Sequence, residues 1–482
     1  MADSTTIKNL KSNPIKVIFF IVLVSVLFTS NLFAQKMSLM ECINEAWEKN
    51  LQLAQSGIQV DLGKIDYTQS KANFLPSING TVSHTYNFGR RIDPFTNQFA
   101  QSRVLSQNGS LSSSWNLFSG LSTVNTYKAN KYNLGSAKDA YNQQKNDIAL
   151  QISNGFLQAI LADELMLVAD NQLQISKNQL LRVQSFSDAG RAALNEVLQA
   201  EAQVAIDEAT VTRNRNASMS AYLTLGQLMG RPNGENLQLQ SPNIQEADLK
   251  PQILKTDQVY QSALLWHYGN KSAEQNLISA NYFSKASKGR MLPSLSFFAG
   301  IGTGYSELSR RQTGFTLVNQ FIGQVNGTPL FIDVQSPIFE DTPFRDQLSQ
   351  NLNRTFGFSL NIPILNALQS RIAYQRARIN YEGAKIQLQT TQFQLRREVE
   401  QAYLDAQSAF EQYLSAKKSK DAQAALYDVI TQRYESGVSN SFEYNQSKSQ
   451  FDNANSTFLQ AKFQLIFRLK VLDFYQGKSL TF

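Results

Sequence analysis

Apolar and small residues recur every seven positions in two long stretches, one across about 121–184 and the other across about 368–434. Tyr374, Tyr381, Leu388, Leu395, Ala402, Ala409 and Ala416 form the later series. The earlier one, 247 residues upstream, is Tyr127, Leu134, Tyr141, Ile148, Gly155, Ala162 and Ala169. Seven matched heptads predict a long coiled-coil helix in each half of the chain. At 1.5 Å per residue each helix is on the order of 100 Å long and must pack along its whole length. The small residues Gly155, Ala162, Ala402 and Ala409 allow close approach.

Both series end in a copied turn. DAGRAALNEVLQAEAQ (188–203) and ESGVSNSFEYNQSKSQ (435–450) share their acid, Gly, Glu and Gln positions at the same offset of 247. Gly190 and Gly437 can take positive φ and permit a sharp reversal. Returning helices are then predicted over about 194–229 and 442–474. Two more helical patterns, about 39–72 and 256–290, form another copied pair, with Ala46 and Pro76 repeated as Ala263 and Pro293. The chain is thus expected to contain a first structural repeat over 35–255, including a linker at 230–255, and a second over 256–482 with a short C-terminal tail.

After Pro76 the apolar period falls to two. Ile78, Val82, Tyr86 and Phe88 share a face opposite Ser77, Asn79, Thr81, Ser83, Thr85 and Asn87, and Leu111, Trp115 and Leu117 alternate with serines and Asn116. The device recurs at Leu295, Phe297, Ala299 and Ile301, then at Phe356, Phe358, Leu360, Ile362 and Ile364. Two hairpins follow, 76–118 and 293–364. Segments of this kind suit membrane β-strands around a watery lumen. A half-buried sheet of a soluble domain is the alternative source of the alternation. Four strands cannot enclose a channel, since barrels start at about eight, so the chain must associate with copies of itself. Some 30 extra residues fall in the second hairpin's connection, 306–353, which is expected to fold over the outer mouth.

Lys8, Lys11 and Lys16 precede an apolar run that ends near Leu32 and Ala34. This is the pattern of a secretory signal peptide over residues 1–34. Its removal takes three lysines and one aspartate and lowers the formal net charge from +7 to +5. The remaining charge is spread out, without the basic clusters of a nucleic-acid binder. Cys42, the single cysteine, lies in a helical pattern and is expected to be buried; no intrachain disulfide is possible. No later stretch is expected to be apolar enough for a spanning helix, leaving a soluble exported protein or a β-barrel.

Catalytic signatures are absent: there is no GxxxxGK[ST], CxxC or HExxH. His84 and His267 stand in different repeats, which argues against a metal cluster or a histidine-based triad. Both are expected to be satisfied surface or interface imidazoles. The expectation is a non-enzyme with no cofactor and no metal.

In this order and spacing, WNLFSG (115–120), IPILNA (362–367) and the two Gly-centred turns resemble the TolC-type outer membrane efflux proteins. The resemblance implies an α+β membrane protein: long antiparallel coiled-coil helices forming a periplasmic tunnel, and four β-strands per chain contributing to a trimeric 12-stranded barrel. It also implies a homotrimer in outer-membrane lipid, passing substrates from a periplasmic adaptor protein and inner-membrane transporter in efflux or type I secretion. A periplasmic coiled-coil adaptor or scaffold without a pore is the alternative, although it should have one helical hairpin rather than two.

By the same resemblance Glu443 and Gln446 take the positions of the periplasmic aperture, where the family carries two acids. Glu196 and Tyr434 match a closed-state latch, and Ser439 stands where the family has an arginine. The tip turns Ala189, Gly190, Arg191 and Ser436, Gly437, Val438 are the expected adaptor contacts.

Overall fold

The computed structural model describes residues 36–93, 97, 99–100, 103–231, 237–242, 249, 255–325 and 327–478. The expected signal peptide and the last residues of the C-terminal tail lie outside them.

The first half contains α1 (Leu39–Lys49), α2 (Leu51–Ala72), β1 (Ser77–Asn87), the short β2 (Arg91–Ile92) and β3 (Phe99–Ala100), β4 (Val104–Ser119), α3 (Ser122–Asp188) and α4 (Leu194–Leu228). The second half contains α5 (Thr256–Trp266), α6 (Tyr268–Gly289), β5 (Ser294–Ser306), β6 (Arg310–Val325), β7 (Thr328–Asp341), α7 (Phe344–Gln350), β8 (Asn353–Asn361), α8 (Gln369–Glu435) and α9 (Ser441–Tyr475). The four principal helices of each half have the same lengths: 11, 22, 67 and 35 residues.

Where one helix was expected over 39–72, two are present. Asn50 is extended, and its side-chain oxygen accepts from the Gln52 and Leu53 backbone N–H groups at 2.9 and 3.1 Å. One asparagine therefore ends α1 and caps α2. His267 breaks the second copy in the same extended conformation.

Residues cluster into two compact units. The first draws on the described residues of Met1–Ile58, Asp139–Lys271 and Thr390–Phe482; the second comprises Gln59–Lys138 and Ser272–Gln389. The first unit's core contains Cys42, Ile43, Ile152, Phe156, Leu225, Met229 and Leu465, all almost fully buried. Leu237, Leu239 and Leu249 from the 230–255 segment join it, and a parallel bridge ties Leu239 to Met37. One window of α3 is long and apolar enough for a membrane span, contrary to expectation. Ile152, Phe156, Leu157 and Ile160 of this helix are buried within the protein instead.

In the second unit, Tyr67 stacks on Tyr127 with a 3.1 Å hydroxyl contact, and Ser279 Oγ donates to the Ala129 carbonyl at 2.9 Å. The main sheet is antiparallel in the order β1-β4-β5-β8, so the two expected hairpins pair through β4 and β5. Strands β1 and β8 are its edges. Ile78, Val82, Phe356, Phe358 and Leu360 remain exposed. Trp115 Nε1 donates to the Phe74 carbonyl at 2.9 Å, fixing the end of β4 to the end of α2.

The connection 306–353 is more regular than expected: β6 and β7 form a separate antiparallel ribbon. At its base, Gln347 of α7 is buried, accepting from the Ser306 N–H and donating to the Ser306 and Thr342 carbonyls.

Candidate functional site

Both helix reversals close through the same pair of backbone hydrogen bonds. In the first, Gly190 has φ +71°, the Arg191 N–H donates to the Phe186 carbonyl at 2.7 Å, and the Gly190 N–H donates to Ser187 at 2.8 Å. In the second, Gly437 has φ +78°, Val438 donates to Arg433 at 2.8 Å and Gly437 to Tyr434 at 3.0 Å. These are paired Schellman closures, which satisfy the last helical carbonyls and require a left-handed residue. A Cβ at either glycine would meet nothing within 4 Å. Gly190→Ala and Gly437→Ala should therefore each cost only the left-handed penalty of about 1–2 kcal/mol. Thermal unfolding should show asparagine at either position to be milder than alanine.

The returning helices start differently. Asn440 caps α9, its side chain accepting from the Glu443 N–H at 2.9 Å, whereas Ala193 gives α4 no side-chain cap. Glu443 and Gln446 are exposed on α9, one helical turn apart, and Ala189, Gly190, Arg191, Ser436, Gly437 and Val438 are exposed at the turns. A carboxylate at 443 is also favoured by the helix N-terminus.

Of the expected latch residues, Tyr434 is half-buried and its hydroxyl accepts from Gln179 Nε2 at 3.0 Å. Burial pushes the Tyr434 phenol up, and the negative charge of Glu196 adds to the rise. Ser439 is buried, and its Oγ has no hydrogen-bond partner among the described residues.

Near the turns an arginine of the first half, Arg182, pairs with Glu435 of the second at 3.0 Å. Sequence reading missed it by looking near Gly437 for the missing cation. Ser441 Oγ donates to Gln199 Oε1 at 2.6 Å and joins α9 to α4. Arg182 and Glu435 are 49% and 52% exposed, so their pairing is worth only about 0–1 kcal/mol.

Farther from the turns lies a different kind of contact. Lys448 of α9, 1% exposed, places Nζ 3.0 Å from Asp207 of α4 and 3.1 Å from Asp452. Asp207 also accepts from Gln203 Nε2 at 2.9 Å and from the Ser176 hydroxyl of α3. Breaking such a buried pair from one side costs about 3–5 kcal/mol.

Burial pushes Asp452 up to about 6, opposed by Lys448. This lies above the ordinary carboxylate value of about 3.9, so between the two values the folded chain holds this proton more tightly than the unfolded chain. The stabilisation from that proton is complete below about pH 4 and is lost as the pH rises through about 6. Asp452→Asn should remove this loss: its melting temperature relative to wild type, in detergent, should improve steadily from pH 4 to pH 7.

His84 Nδ1 is 2.8 Å from Gln107 Nε2. His267 is buried rather than at the surface, its Nδ1 lacks a partner among the described residues, and burial pushes its imidazole down. Cys42 is buried and its thiol is pushed up to about 12 by that burial, which makes it unreactive. Among the described residues no group of three or more His, Cys, Asp or Glu is placed to hold a metal ion.

Two copied helical hairpins and a four-stranded sheet with both edges open define a TolC-type channel fold. Solved structures of similar fold include CusC, with TM-score 0.72 and 15% identity, covering 92% of both chains. The Campylobacter jejuni CmeC outer membrane channel matches with TM-score 0.72 and 16% identity, over 91% of this chain and 85% of that one. VceC of Vibrio cholerae matches with TM-score 0.71 and 14% identity, over 92% and 96%. No curated protein matches the chain in sequence. The model of the outer membrane efflux protein family matches residues 42–231 and again 259–477, once in each half. The chain belongs to the outer membrane efflux protein family, whose members are channels rather than enzymes.

Proposed function

We propose that three copies of this chain form an outer-membrane exit duct that passively conducts substrates delivered by a periplasmic adaptor and an inner-membrane transporter. The observation that carries this reading is the sheet order β1-β4-β5-β8. Its two edge strands have unpaired backbone groups, which a bilayer does not tolerate, and pairing β8 of one copy with β1 of the next satisfies them in a closed barrel. The helical hairpins then form a tunnel into the periplasm, gated at the turns. Exposed Leu194, Val438 and Phe442 beside the turns suit packing against adaptor helices.

Outer-membrane fractions should yield a heat-modifiable trimer in detergent, and a soluble periplasmic monomer would contradict the reading. Within the trimer, three copies of Glu443 converge on the axis as a negative, cation-attracting ring, with Gln446 beside it. Glu443→Ala should reduce cation selectivity in planar bilayers more than Gln446→Ala does. Equal, negligible effects would remove Glu443 from the aperture.

A further inference from the structure

The contacts joining α4 to α9 fall into two kinds along the helices. Nearest the turns is Ser441 with Gln199, the serine half-buried and the glutamine exposed. Seven residues farther along α9 and eight along α4 comes Lys448 with Asp207, both buried, with Asp452 completing the cluster. Ser176 brings α3 to the same carboxylate. Between α3 and α8 the turn-side contacts, Gln179 with Tyr434 and Arg182 with Glu435, are half-buried or exposed. Water can replace each turn-side contact as it opens; a lysine with almost no access to water has no such substitute.

We propose that the Lys448–Asp207–Asp452 cluster is the fixed point of the gate, so that opening separates α4 from α9 only on the turn side of it. This rests on the gated-duct reading above. The moving part is then short, roughly 190–206 and 437–447, and the helices beyond stay paired. Sequence copying does not supply the cluster: 247 residues from Lys448 stands Glu201, and 247 from Asp207 stands Ala454. The clamp is therefore a device of the asymmetric pairing between halves, made once per chain.

Spin-label distances in the full trimer test this. One label pair, at Leu198 and Phe442, lies on the turn side; a second, at Thr212 and Thr457, lies beyond the cluster, and all four residues are exposed. Opening is induced by Gln179→Ala, Arg182→Ala and Gln199→Ala together. The expected result is a shift of several ångströms in the first pair with the second within about 1 Å of its closed value. Adding Asp207→Asn, Lys448→Met and Asp452→Asn removes all three charges without stranding one, and the second pair should then move as well. Equal movement of both pairs with the cluster intact would overturn the proposal. So would a second pair that stays fixed after neutralisation, or a first pair that never moves. Bilayer conductance of the same variants judges the duct reading separately: if none conducts, that reading fails, whatever the distances show.

Discussion

Lys448→Met is expected to lower the stability of the protein by about 3–5 kcal/mol, because it strands buried Asp207 and half-buried Asp452 without their cation. The size follows from burial: Lys448 is 1% exposed, so water cannot solvate the carboxylates in its place. Neutralising all three positions with Asp207→Asn, Lys448→Met and Asp452→Asn should recover most of the loss. The expected order of melting temperatures in detergent is wild type, then the triple variant, then Lys448→Met well below both. Arg182→Ala is the control; its exposed ion pair should change the melting temperature little.

The second large effect is expected at Gly120, the last residue of WNLFSG. Its φ is +59°, and a Cβ there would lie 2.1 Å from the Gly289 carbonyl oxygen. Gly289 has the reciprocal limit, a Cβ meeting the Gly120 carbonyl at 2.3 Å. The two backbones pass where the first half enters α3 and the second half leaves α6. Neither obstacle is a flexible side chain, so the chain itself must shift. Gly120→Ala therefore adds overpacking of about 1–3 kcal/mol to a left-handed penalty of about 1–2 kcal/mol. Gly289→Ala should incur the overpacking alone. The yield of folded, membrane-inserted protein should fall for both variants, more for Gly120→Ala, while Gly383→Ala, which meets nothing within 4 Å, should be neutral.

Legibility in the sequence followed the range of each interaction. Heptad spacing located α3 and α8 because a helix 67 residues long must present one stripe for its whole length. The breaks at Asn50 and His267 are local: each is set by one extended residue, which leaves the surrounding apolar period intact. Strands β6 and β7 were hidden because bulges near Gly314 and Gly323 interrupt the alternation, and Pro329 and Pro337 weaken the strand signal. At the helix reversals, the turns were visible as copied glycines with one backbone requirement. The contacts across the halves were not. Lys448 on a polar helix resembles a solvated lysine, and the partner that buries it stands 241 residues away. Only its Asp452 partner, four residues on, carries a local signature. Arg182 was missed for the same reason: its meaning depends on Glu435, which no spacing rule connects to it.

Single-channel conductance of the purified trimer in planar bilayers tests the central claim most directly. A duct held shut by weak contacts at its turns predicts a small, cation-selective conductance that rises severalfold in the Gln179→Ala, Arg182→Ala, Gln199→Ala variant. An absence of conductance from both proteins, with the trimer inserted, would contradict it.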